Sequence, residues 1–87
     1  MSNAESAANW MADALRKDGT LYQDVAVTHL EAEFGLSVVT TNASGNLAVK
    51  RQVLDIFNKL TPDAVWIRSG RYWRAREEFD LPGRQQS

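Results

Sequence analysis

The chain has 87 residues, no cysteine, one histidine and a formal net charge of −1, with 44% of its residues hydrophobic. That length supports one small core and excludes two independent ones. The absence of cysteine excludes a disulfide framework, a thiolate metal site and a thiol nucleophile.

No run approaches the ~20 apolar residues of a membrane span, and no basic-then-apolar leader opens the chain, so a cytoplasmic, non-membrane protein is expected. The charge is unevenly spread. Residues 1–49 carry two basic residues against six acidic ones, and residues 50–87 carry eight against five. Such a split fits a nucleic-acid or acidic partner, halves of one fold that neutralise each other, or protomers packed head to tail. An overall pI near 5.7 argues against strong nonspecific nucleic-acid binding and leaves room for a local basic patch.

A first helix is predicted over 6–17, where Trp10, Met11, Ala14 and Leu15 recur at helical spacing. Gly19 suits the left-handed position just past its end, and Arg16 and Lys17 complement the dipole of the last turn. A connector follows, with a short strand at Thr20-Leu21. A second helix runs from 22 or 23 to 34 and stops at Gly35. Ala26, Val27, Leu30 and Phe34 form its inner stripe, and Asp24, Thr28, Glu31 and Glu33 point outward. His29 lies at the edge of that stripe and reads as a boundary residue. With no second histidine and no cysteine, no metal site is expected there.

The β-branched run 36–41 predicts a strand, and Asn42-Ala43-Ser44-Gly45-Asn46 predicts a turn. This turn lacks the lysine and the spacing of a phosphate-binding P-loop. Asn46 is placed as the N-cap of a third helix over 47–60, with Val49, Val53, Ile56, Phe57 and Leu60 inward. Its outer face carries Arg51, Gln52, Asp55, Asn58 and Lys59. Thr61-Pro62-Asp63 ends the helix.

The run from Val65 to Arg76 reads as a β-hairpin. A three-residue turn, Arg68-Ser69-Gly70 with Gly70 at positive φ, pairs Ile67 with Arg71 and Val65 with Trp73. Val65, Ile67, Trp73 and Ala75 then face the core. Trp66, Arg68, Tyr72, Arg74 and Arg76 form a cationic, aromatic outer face. The fold class is therefore α+β: three helices, a short strand and a C-terminal hairpin. One domain is expected over 6–77, with 1–5 and 78–87 as flexible or docking tails.

Helix, short strand, helix, helix and a hairpin with a basic turn: this order resembles the winged-helix family of helix-turn-helix domains. The resemblance implies that the helix over 47–60 enters a DNA groove and that the hairpin, with its tip Arg68-Ser69-Gly70-Arg71, forms the wing. The strand over 36–41 departs from the many winged helices that have only a turn there, and points to an α+β variant with a three-stranded sheet. The closing pattern Val65-Trp66-x-Arg68-x-x-Arg71-x-Trp73-Arg74-x-Arg76, preceded by Asn46-Leu47-Ala48, is similar to that of short bacterial proteins of unknown function, including ones encoded in integron gene cassettes. That likeness implies a bacterial origin and no particular activity.

Two functions compete. The first is a non-enzymatic protein-interaction module, most simply a homodimer, because Trp, Tyr and Arg on one exposed face match the composition of interface hot spots. The alternative is DNA binding, with Arg68, Arg71, Arg74 and Arg76 on phosphates, Trp66 and Tyr72 stacking, and Arg51, Gln52 and Asn58 reaching base edges. Asp55 opposes the second reading from the middle of that helix face. No nucleophile–base pair and no cofactor fingerprint can be assigned, so no enzyme and no small-molecule cofactor are expected.

Overall fold

Ser2 accepts a hydrogen bond on its hydroxyl from the Glu5 backbone N–H, and the Glu5 carboxylate reaches back to the Ser2 N–H, forming a capping box. It starts α1 (Asn3–Asp18), several residues before the first apolar periodicity. The computed structural model describes residues 2–75 and 85–86. α1 ends at Gly19, which takes φ 79° and donates its N–H to the Leu15 carbonyl at 2.7 Å. Its inner face is mostly alanine: Ala4, Ala7, Ala8 and Ala12 are buried with Met11 and Leu15. Small side chains there let a neighbouring helix come close.

β1 (Thr20–Tyr22) leads directly into α2 (Gln23–Phe34), which buries Ala26, Val27 and Leu30. Gly35 stops it at φ 71°, as the sequence predicts. The run 36–41 is only partly strand. Leu36 and Ser37 belong to a 3-10 turn, Gly35–Ser37, and β2 is Val39–Thr41.

Asn46 does not cap a helix. The Asn42 side-chain oxygen accepts from the backbone N–H groups of Ser44 and Asn46, each at 3.0 Å, and closes a tight turn. That turn folds β3 (Leu47–Val49) back on β2, with Val39 opposite Val49 and Thr41 opposite Leu47. The third helix therefore starts later, as α3 (Arg51–Leu60) with Lys50 at the N-cap. The two strands form their own ribbon and do not join the larger sheet as a third strand.

α3 packs most extensively on α1 and buries Val53 and Phe57. Arg16 donates to the Leu60 carbonyl at 3.1 Å, tying the C-terminal ends of the two helices together. β4 (Ala64–Ile67) and β5 (Tyr72–Ala75) then form the hairpin, β1 adds to β5, and β6 (Gln85–Gln86) lies parallel to β4, giving the order β1-β5-β4-β6.

The hairpin register differs from the expected one. Four residues, 68 to 71, connect the strands, and the pairs are Ile67–Tyr72, Trp66–Trp73, Val65–Arg74 and Ala64–Ala75. Positive φ falls on Arg71 (53°) and not on Gly70. A one-residue change of loop length moves every pairing and so redistributes the faces. Trp66 joins Trp73 toward the core, where it is half-buried. Val65 and Ile67, both buried, share the opposite face with Tyr72 and Arg74.

Among the described residues no helix is long and apolar enough to cross a membrane. The architecture is α+β, with α1 and α3 stacked together and an antiparallel β1-β5-β4 core to the sheet.

Candidate interaction surface

Arg71 is held firmly. Its carbonyl accepts the Gln23 N–H at 2.9 Å, pinning the hairpin loop to the first turn of α2. Tyr22 and Tyr72 are cross-strand partners with ring centroids 5.0 Å apart. Gly70 makes room for this: a Cβ there would overlap the Tyr72 ring. The β2–β3 turn approaches from the other side. Together the start of α2, Gly45 to Leu47 and Gly70-Arg71 enclose an open cleft of about 470 Å³.

Outside the cleft, α2 presents a shallow groove formed by Asp24, Val25, Thr28, His29 and Ala32. The His29 ring stacks on Trp10, with centroids 3.9 Å apart and planes 9° from parallel. The side chains of α2 include three acids, Asp24, Glu31 and Glu33, and no lysine or arginine. Among the described residues the exposed large hydrophobics are Tyr22 (48%), Val25 (56%), Leu36 (72%) and Leu47 (44%). Val25 lies on α2, Tyr22 and Leu36 lie at its two ends, and Leu47 shares the cleft with Tyr22.

The basic residues singled out by sequence are dispersed. Arg68 and Arg71 are exposed in the hairpin loop, and of the two only Arg71 lines the cleft. Arg51 is 91% exposed and pairs with Asp55 at 3.6 Å; Gln52 is exposed and Asn58 half-buried on the same helix, and none of the three lines the cleft. Arg74 is half-buried and donates to the Ala75 carbonyl at 3.0 Å. Tyr72 is half-buried against Tyr22, and Trp66 is turned to the core. Arg76 and residues 78–84 lie outside the described residues.

Sequence reasoning passed over Tyr22, Val25, Leu36 and Leu47 as surface residues. The signal existed for Val25: it is a β-branched apolar residue off the inner stripe of its helix. Among the described residues no group of three His, Cys, Asp or Glu side chains is placed to hold a metal ion.

The model of a protein family, described as a Family of unknown function (DUF6953), matches residues 3–75. The chain belongs to that family. No curated protein and no solved structure matches it. The DUF6953 span ends at Ala75, so it takes in all of α2, the β2–β3 turn and the hairpin loop that surround the cleft.

Proposed function

We propose that the chain is a small, non-enzymatic protein-interaction module that homodimerises through the surface around α2. The observation that carries this reading is the grouping of the exposed large hydrophobics. Val25 lies on α2, Tyr22 and Leu36 lie at its two ends, and Leu47 of β3 shares the cleft at its start with Tyr22 and the exposed Arg71. Apolar side chains gathered on one face beside a charged rim mark association surfaces, whereas scattered ones do not. The order α1, β1, α2, α3 and β4–β5 supports the winged-helix likeness, with the β2–β3 ribbon inserted before α3.

Sedimentation equilibrium from about 1 to 100 µM tests the reading. A mass that rises toward twice 9.8 kDa with concentration supports it. A monomer throughout, with Val25→Arg indistinguishable from the parent, counts against it.

The exposure of Arg68 and Arg71 at the hairpin tip favours a second reading, DNA binding. Phosphate contacts must weaken steeply with salt. Anisotropy of labelled duplex DNA at about 50 and 200 mM salt separates the two readings. Binding lost between those concentrations supports DNA; no binding at either leaves the interaction module.

A further inference from the structure

Resting on the homodimer reading, we infer that the partner on the α2 face is the α2 of a second copy, packed antiparallel across a two-fold axis, with Arg71 of each protomer meeting Glu31 of the other. A two-fold interface uses one patch on both subunits, so that patch must complement itself when inverted. The surface of α2 has this property along its length.

The helix runs from Gln23 to Phe34, which puts its midpoint between Thr28 and His29. An axis through that midpoint sets Val25 of one copy against Ala32 of the other and brings the two Thr28 side chains together. Val25 is large and exposed, and Ala32 is small and exposed. Each valine therefore fits the space left by the opposite alanine, as a ridge enters a groove. A parallel pair would instead turn the flank that holds Val25 and Ala32 onto the acidic flank of the partner, where neither finds an apolar counterpart.

Charge selects the same direction. α2 carries three acids and no lysine or arginine, so in a parallel pair each Glu31 would lie at the end of the helix remote from both Arg71 side chains. At a helical turn of 100° per residue, Glu31 and Asp24 share one flank of the exposed face. That is the flank nearest the cleft, which Asp24, Thr28 and Arg71 line together. Arg71 sits beside the start of α2, pinned by the bond from Gln23. Inverting the second helix brings its Glu31 to that end, where Arg71 lies between it and Asp24 of its own chain and can bridge the two carboxylates. The pairing occurs twice by symmetry.

The ends match as well. Tyr22 and Leu47 are exposed at the start of α2, and Leu36 is exposed just past its end. Antiparallel packing lays the Leu36 of one copy toward the Tyr22–Leu47 cleft of the other. A 12-residue helix is only about 18 Å long, and its face alone falls short of the ~800 Å² per partner of a stable interface. The cleft at one end and Leu36 at the other extend the patch.

The chain has no cysteine, so each introduced one reports a single position. Under mild oxidation, Thr28→Cys is expected to cross-link to itself. Val25→Cys is expected to cross-link with Ala32→Cys in a mixture and not to itself. Arg71→Glu and Glu31→Arg are each expected to weaken dimerisation by about tenfold, and the double variant to restore it. Circular dichroism confirms that each variant is folded. A dimer in which Val25→Cys links to itself, or in which the charge swap gives no rescue, overturns the antiparallel arrangement while the homodimer reading stands. A chain that stays monomeric to about 100 µM overturns both.

Discussion

Trp66 lies directly opposite Trp73 on neighbouring strands, with ring centroids 4.6 Å apart, and Phe57 meets the edge of Trp73 at 5.4 Å. This contact places Trp66 against the core cluster and takes it out of the exposed aromatic face. Trp66→Ala is therefore expected to act on stability. Losing a half-buried indole and its aromatic partner costs about 2–4 kcal/mol. In a domain of this size that lowers Tm by roughly 10–20 °C. Thermal melts at a fixed, low protein concentration measure it. An unchanged Tm with a weaker dimer would instead place Trp66 in the interface.

Gly70 serves space, not backbone freedom. A Cβ at this position would overlap the Tyr72 ring, so Gly70→Ala must push that ring off Tyr22. The expected loss is about 1–2 kcal/mol. In a Tyr72→Ala background the clash has no partner, and the same substitution is expected to cost about 1 kcal/mol less. Urea unfolding of the four-member cycle gives the coupling. A coupling near zero would show that the loop accommodates the methyl group by another route.

The elements that the sequence predicted well are those whose local signals agree with their packing. α1 and α2 end at Gly19 and Gly35, both at positive φ, and the inner stripe Ala26, Val27 and Leu30 is buried. Where two local signals compete, tertiary pairing decides. Leu47, Ala48 and Val49 suit a helix or a strand, and Asn46 looks like an N-cap. The Asn42 side chain closes a turn that commits them to β3. The hairpin register depended on which residue takes positive φ, and glycine is the residue that does so at least cost. Arg71 takes it instead, at the residue whose carbonyl is held by Gln23, a contact distant in sequence. The candidate surface was harder still. It depends on which apolar side chains remain uncovered after folding, and local pattern reports only which ones can be buried.

The Ser2–Glu5 capping box begins α1 at Asn3, three residues before the predicted start. Ser2→Ala is expected to cost about 1 kcal/mol, and Glu5→Ala a similar or smaller amount. The two losses should be less than additive, because each side chain serves the same first turn. Amide hydrogen exchange is the sensitive readout: protection of Glu5 and Ser6 should fall in both variants while Met11 and Ala12, in the buried middle of the helix, stay protected. Loss of protection along the whole helix would mean that the cap supports more than its own turn.

The stack of His29 on Trp10 offers a spectroscopic test of the α1–α2 contact. An imidazole 3.9 Å from an indole, with planes 9° apart, lies in the shielding region of the larger ring. Its carbon-bound protons should resonate upfield of those of an unstacked histidine. The chain contains one histidine, so the assignment is unambiguous. Trp10→Leu should return these signals to ordinary positions and lower stability by about 0.5–1.5 kcal/mol beyond the loss of buried area. His29→Ala should leave the fold intact and shift the emission of Trp10 to longer wavelength, because the face of the indole that the imidazole covered then meets water. Signals already at ordinary positions in the parent would mean that the rings do not stay stacked in solution, and that Trp10 is held by its packing on the core cluster without the imidazole.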